Sequence, residues 1–415
     1  MIMKRFLIVG AGIGQLFLAK KIKERGDYLI TVTLPGNQPV IDIADEVIYE
    51  NVFDKENVLR KAAEANIDAV VSDQNDTMMP TVAYIAEKLG LPGNSIAAVN
   101  AYCNKNVFRD NCDRLGIPVP KHIAVHRGDN LHHDSFLCPF PWMVKPADSQ
   151  SSLGVSKVNC EEELSGALSH AFHFSKTDTA IVEEFFEGRE LVAEGFIYNG
   201  RYYNLGFADR KYFNLKSVFI PSQTLFPSLA PDAIKNRILD YESKMAKYVS
   251  PRFAIVHSEY LFNVQTGGIR VVESALRGGG VYISSHLIPL YSGIDINDVL
   301  LDCATGSSLD MDAIMSQRDE KAAGYVCFSL PEGQVKSISG MDEILKDPGV
   351  EMAELHGIDL GMKTLPMTHK GQRLGPILIS ADNREELDMR VQKIQSTIDI
   401  TVVSADGSLH GINWS

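Results

Sequence analysis

Two carboxylates and an arginine stand out in this chain by where they fall. Glu259 lies in "HSEYLF" and Glu273 in "VVESALRGGG", on two apolar runs joined by the short connection "QTGG". Runs so joined pair as antiparallel strands, and that pairing brings the two carboxylates together. Converging carboxylates suit a hard divalent ion, because Mg2+ takes oxygen ligands and shares them with substrate phosphates. A bound cation would also explain an acid at the end of an apolar strand, since burying an unpaired carboxylate is costly. The sequence offers Glu273 no evident basic partner except Arg277. That guanidinium can grip a carboxylate through two parallel hydrogen bonds. Gly278, Gly279 and Gly280 behind it leave bare backbone for close approach.

Two further stretches have ligand-binding chemistry. Lys145 sits on the strand-like "WMVKP" ahead of the loop "ADSQSSLGV". The amides and hydroxyls of Ser151, Ser152 and Gly154 can cradle a phosphate beside the lysine's point charge. By itself the stretch reads more simply as a surface hairpin with a solvated lysine. The connector "AIVEEFFEGRELVAE" puts Glu183, Glu184, Phe185 and Phe186 before the turn at Gly188 and Glu190 after it. It can present backbone groups to a purine edge and a carboxylate to ribose hydroxyls. Alternating acids on a half-exposed strand are the plainer reading when it is taken alone. Arg210, His257 and His286 lie close to these segments in sequence and are weaker candidates as substrate contacts; residues of these types are more often structural.

Elements of several kinds must position these groups. "RFLIVGAGIGQLFLAKKIKERG" reads as strand, glycine turn and amphipathic helix, and strands at "YLITVTLP" and "IDAVVSD" alternate with the helix "KENVLRKAAEAN". That alternation predicts a parallel, doubly wound unit. The turn "GAGIGQ" is not a dinucleotide fingerprint: Gln15 stands where a glycine is needed, and the second strand ends Thr33-Leu34-Pro35 without an acid. From "WMVKP" onward strands dominate, with "TAIVEEFFEGRELVAEGFIYNG" read as two strands around a turn. A helix "APDAIKNRILDYESKMAKYV" precedes the two acid-bearing strands, and a β-rich segment with one helix begins near Ala322.

Composition narrows the classes. The chain has 415 residues, 40 basic against 53 acidic, for a net charge of −13. This disfavours a nucleic-acid partner, which needs basic surface. No apolar stretch is long enough to span a bilayer. The start "MIMKRFLIVGAGIG" lacks a small-residue cleavage site and is read as a first strand, not a leader. Six scattered cysteines without a CxxC pair fit reduced thiols and a cytoplasmic protein.

In this order the segments resemble the ATP-grasp superfamily, especially its carboxylate–amine, L-amino-acid-ligase-like branch. The resemblance rests on "NKNVFRDNCDRLGIPVP", "WMVKPADSQSSLGV", "VEEFFEGRE", "HSE" and "VVESALRGGG", with a tail of the amino-acid-ligase kind in "AAGYVCFSLPEGQVKSISG" and "RLGPILISADNREE". It implies an α/β and α+β chain with three parts. These are a doubly wound N-terminal domain at 1–115, a two-lobed ATP-grasp body at 116–310 with a lid at about 120–190, and a β-rich C-terminal domain at 311–415. It further implies that Lys105 and Lys145 contact ATP phosphates and that Glu183 meets the adenine amino group. The backbone near Glu184, Phe185 and Phe186 would complete that site, with Glu190 on the ribose. Glu259 and Glu273 would hold Mg2+, or Mn2+ in its place, and Arg277 would orient the reacting carboxylate, flanked by Gly278 and Gly279. Ala275 departs from the family, where asparagine is frequent two residues after the second metal glutamate. The implied activity joins a small carboxylate to an amine at the expense of ATP, with small-molecule partners only and a homodimer as one compatible assembly. The alternatives are a bicarbonate-using carboxylase of the same superfamily, a nucleotide-binding oxidoreductase resting on "GAGIGQ", and a silent ATP-binding regulator.

Overall fold

The apolar runs of the first seventy residues become strands buried on both faces, as parallel sheets require. In the computed structural model, which describes residues 3–129, 131, 138–149, 153–215 and 219–415, they form a four-stranded sheet. Its order is Glu46–Tyr49, Tyr28–Thr33, Arg5–Val9, Ala69–Val71, and every pairing is parallel. Leu7, Val9, Ile30 and Val32 pack to one side, and Phe6, Ile8 and Leu29 to the other. Gly10 turns the chain at φ 93° into the helix Ile13–Glu24. The side chain of Gln15 folds back into that turn, accepting from the Gly12 amide at 3.1 Å and donating to the Asp73 carbonyl at 2.6 Å. The Gly12 amide is therefore taken by the chain itself.

A second, antiparallel sheet, in the part expected to be a lid, has the order His122–His126, Thr179–Glu184, Trp142–Pro146, Ser156–Val158. The helix Glu161–Phe174 covers it, which a strand-dominated reading overlooks. Its stripe Leu164, Ala167, Leu168, Ala171 and Phe172 has helical spacing and packs on Val144, Val158, Ala180 and Val182. The strands Thr179–Glu184 and Arg189–Tyr198 belong to different sheets. Residues 185–188 therefore cross from lid to body and do not close a hairpin.

The body is an eight-stranded sheet in the order Ile269–Ala275, Phe253–Phe262, Arg189–Tyr198, Arg201–Tyr212, Pro221–Phe226, Ala322–Phe328, Leu374–Ala381, Val350–Ala353. Strand alternation divides its side chains. Leu191, Ala193 and Ile197 meet Ile234, Ile238 and Met245 of the helix Asp232–Val249. Val192 and Phe196 meet Ile283, Leu287 and Ile288 beyond the glycine run. The last three strands lie past residue 310, so the sheet runs across the boundary expected there. Only the small sheet of Lys363–Thr364, Gly333–Ser339, Asp399–Val403 and Leu409–His410, with the helix Arg384–Thr397, is confined to the C-terminal part. All six cysteines are free. No helix among the described residues is long and apolar enough to cross a membrane.

Candidate active site

The register of two body strands sets the centre of the site. Glu259 pairs directly with Glu273 across Phe253–Phe262 and Ile269–Ala275, and the pairing shifts between Glu259 and Tyr260. Both acids face a cleft of about 1200 Å3 between lid, body and C-terminal segment. That is more than a single small ligand needs. Glu273 keeps 34% of its side chain exposed while meeting Lys105 Nζ at 2.9 Å. The basic partner expected to be Arg277 is thus Lys105. It arrives from the first turn of the helix Lys105–Leu115, which the Asn104 side chain caps through the amides of Asn106 and Val107. Burial alone would raise the Glu273 carboxyl, but Lys105 overrides this and holds it at about 2. Lys105 also donates to the Ser149 carbonyl at 3.3 Å, at the mouth of the lid loop.

Glu259 is gripped from its own strand and from the strand two places away in the sheet. Arg210 touches it and also donates to Glu190 Oε1 at 2.8 Å, while His257 Nε2 lies 3.3 Å away. Burial opposes its ionised form, yet Arg210 keeps the Glu259 carboxyl well below the usual range. His257 leans through Nδ1 on the fully buried Glu194. Across the strands Ala275 stands opposite His257. Two opposed carboxylates fit Mg2+, which takes one or two carboxylates with phosphate and water making up its shell. No group of three or more candidate ligands exists among the described residues, so phosphate oxygens would have to complete the coordination. The buried Nε of Arg210 and Oε1 of Gln223 lack partners among the described residues. Both residues line the cleft, leaving polar capacity in its wall for a ligand.

The lid contributes Lys145 and Glu183, which sit diagonally on adjacent strands, with Met143 opposite Glu183 and Lys145 opposite Ile181. Lys145 Nζ meets Glu183 Oε2 at 2.6 Å, and Arg109 takes Oε1 through Nε at 3.1 Å and through a terminal nitrogen at 2.9 Å. Both oxygens of Glu183 are therefore engaged. It ties Lys145 to Arg109 and still lines the cleft, where the resemblance implied a contact with the adenine amino group. Burial pushes the Lys145 ammonium down and outweighs the pull of Glu183. Glu184 accepts from Arg270 at 2.8 Å. Phe185 lies under Lys157, with the ammonium 3.8 Å from the ring centre, and Phe186 lies under Arg270 at 4.8 Å. Glu190 lines the cleft while accepting from Arg210 and the Tyr212 hydroxyl. Gly154 takes φ 74°, and a Cβ there would stand 2.7 Å from Pro146, so it packs the base of the loop. Ser151 and Ser152 lie outside the described residues.

Arg277 and the glycines differ most from expectation. The Arg277 fork closes on Asp76, Nε to Oδ1 at 3.1 Å and a terminal nitrogen to Oδ2 at 2.9 Å. It joins the body to the N-terminal domain and does not line the main cleft. Gly278 and Gly279 are bare because protein fills the space beside them. A Cβ on Gly278 would lie 2.2 Å from Ser284, and one on Gly279 would lie 2.5 Å from Glu194 and 2.9 Å from His257. His286 stands edge-on to Phe17 at 4.3 Å, away from the carboxylates. Asp76→Ala should strip Arg277 of its partner and cost about 2 kcal/mol of stability, the order expected when one member of a largely buried ion pair is removed. Urea unfolding checks this; a midpoint equal to the wild type would mean that the contact is idle.

Reading the sequence missed two residues. Arg109 follows Lys105 by one helical turn on the same face, a spacing that could have exposed it. Lys370 enters the cleft from the C-terminal segment on the short turn Lys370–Gln372. The Gln372 side chain accepts there from the Thr368 amide at 2.7 Å and the His369 amide at 3.3 Å. Burial lowers the Lys370 ammonium despite the attraction of Glu259. Nothing in "THKGQR" announces this placement.

Comparison with known proteins follows the same lines. The family description "D-ala D-ala ligase C-terminus" matches residues 112–203, and "L-amino acid ligase C-terminal domain 2" matches residues 326–403. A D-alanine–D-alanine ligase of Geobacter sulfurreducens is 34% identical over 113 residues, 27% of this chain and 35% of that protein. A formate-dependent phosphoribosylglycinamide formyltransferase of Bacteroides thetaiotaomicron is 27% identical over 198 residues, 47% of this chain and 48% of its own length. The chain thus matches between a third and a half of the length of these curated relatives. The crystal structure of an L-amino acid ligase from Bacillus licheniformis superposes with a TM-score of 0.79 at 21% identity, covering 96% of this chain and 98% of that one.

Proposed function

We propose that the chain, which shares its fold with a solved L-amino acid ligase and matches two ligase family descriptions over parts of its length, is an ATP-grasp enzyme that activates a small carboxylate with ATP and joins it to an amine, releasing ADP and phosphate. The observation that carries this reading is the pair Glu259 and Glu273, opposed across one cleft wall, with Lys105 and Lys145 on either side. A carboxylate is a poor electrophile, and transfer of the γ-phosphoryl group turns it into an acyl phosphate with a good leaving group. Mg2+, or Mn2+ in its place, held by Glu259 and Glu273, would offset charge on the transferring phosphate. Lys105 and Lys145 add fixed cations at the same place, where the low dielectric of a closed cleft strengthens them. Arg210 and His257 keep Glu259 ionised and oriented. The adenine edge falls to backbone groups at 184–186 and to the apolar wall of Met143 and Leu261, because the Glu183 carboxylate is engaged. The amine, an amino acid by likeness to the ligases above, then displaces phosphate to give the amide.

Hydroxylamine trapping tests the reading. Acid-dependent formation of a hydroxamate, with ADP and phosphate in equal amounts, is expected when amino acids and small carboxylates are screened with ATP. ATP turnover that answers to bicarbonate alone would replace it with carboxylation. Lys370→Met should lower kcat about 10-fold at saturating ATP, the worth of one charge-assisted hydrogen bond. Unchanged phosphate release in that variant would place Lys370 outside the reaction.

A further inference from the structure

Arg109 is a large charged side chain with only 1% exposure, and nothing in the proposed reaction touches it. Its guanidinium makes four hydrogen bonds, two to Glu183 Oε1 and two to the carbonyls of Val271 and Val272 at 3.1 and 2.7 Å. Those carbonyls lie just before Glu273 on the body strand, while Glu183 belongs to the lid sheet. One residue thus fastens the lid strand to the strand bearing the second cleft acid. The charge count matters as much as the fastening. Glu183 is shared by two cations, Arg109 on Oε1 and Lys145 on Oε2, so the cluster holds one positive charge in excess. Lys145 lines the cleft and Arg109 does not. The excess is therefore presented to the cleft through the lysine.

We infer that Arg109 is a positioning residue for triphosphate binding: by occupying Glu183 it keeps the Lys145 ammonium from being neutralised one-for-one, and the surplus charge is what the phosphates of ATP engage. The inference rests on the functional reading above. Removing Arg109 leaves a closed Lys145–Glu183 pair that a phosphate must break. Removing the Glu183 charge together with Arg109 restores the surplus of one.

That arithmetic gives a rescue no merely structural role would show. ATP, ADP and adenosine are titrated calorimetrically into the wild type, Arg109→Met, Glu183→Gln and the double variant. Arg109→Met is expected to weaken ATP about 10-fold or more with adenosine unchanged, and the double variant to recover ATP affinity to within about threefold of wild type. Glu183→Gln alone, with a surplus of two, should bind ATP at least as tightly as wild type relative to adenosine. Parallel loss of ATP and adenosine in Arg109→Met, or a double variant as weak as the single, overturns the inference. Should Arg109→Met not fold, Glu183→Gln decides: selective loss of ATP over adenosine overturns the inference, and retention supports it. A wild type that binds no adenine nucleotide overturns the functional reading along with it, whereas ATP binding without rescue overturns this inference alone.

Discussion

Glu273→Gln is expected to abolish turnover at ordinary Mg2+ concentrations, by about 10³-fold, while leaving the fold intact. The size follows from the several kcal/mol that a bound metal contributes to a phosphoryl-transfer transition state. The amide is nearly isosteric and still accepts from Lys105, but it carries no charge for a divalent ion. Two consequences separate this from general damage. Raising Mg2+ should recover part of the activity, because lost affinity is offset by concentration. Nucleotide binding measured without metal should be unchanged or tighter, since Lys105 loses its anionic partner 2.9 Å away and turns to phosphate. Near-normal turnover with the wild-type Mg2+ dependence would sink the metal assignment.

Lys145→Met should raise the KM for ATP and lower kcat together, with kcat/KM falling about 10²-fold. A contact that strengthens as charge moves onto the transferring phosphate serves both binding and the barrier. In this protein the change also leaves Glu183 Oε2 buried without its cation, although Arg109 still holds the other oxygen. Some loss of stability is expected for that reason. A methionine variant whose melting temperature drops while its kinetic constants stay at wild-type values would make Lys145 a structural cation only.

The parts of the site that follow from local rules were legible in the sequence. Strand period and a short connection put Glu259 and Glu273 on adjacent strands, and Lys105 opens a helix the sequence marks plainly; the one-residue shift in pairing between Glu259 and Tyr260, which sets the two acids directly opposite, had no local signal. What stayed hidden depends on distant segments. Asp76 reaches Arg277 from the N-terminal domain, and Lys370 comes from a turn in the C-terminal part; neither neighbour marks its sequence for the other. The glycines show a second limit. Sequence reveals that Gly278 and Gly279 lack side chains, but not that Ser284, Glu194 and His257 fill the space beside them. Glu183 shows a third: its type suited a ligand contact, and only burial beside two cations reveals that its oxygens are committed. In the fold, the lid helix Glu161–Phe174 had a clear apolar stripe, overlooked because the strands around it are the stronger signal. The continuity of the large sheet across residue 310 had no local signature at all.

That continuity leaves no place to cut the chain. The strand Pro221–Phe226 is buried along its whole length because Ala322–Phe328 pairs with it at Gln223, Thr224, Leu225 and Phe226. A version ending near residue 310 would bare that strand as a free edge, with open amides and carbonyls beside Leu225 and Phe226, and such edges recruit other chains. The cleft is therefore not a transplantable module. A graft onto another scaffold, or a fusion placed between body and tail, would have to bring the last hundred residues along, and the economical sites for insertion lie in the surface turns of the small C-terminal sheet.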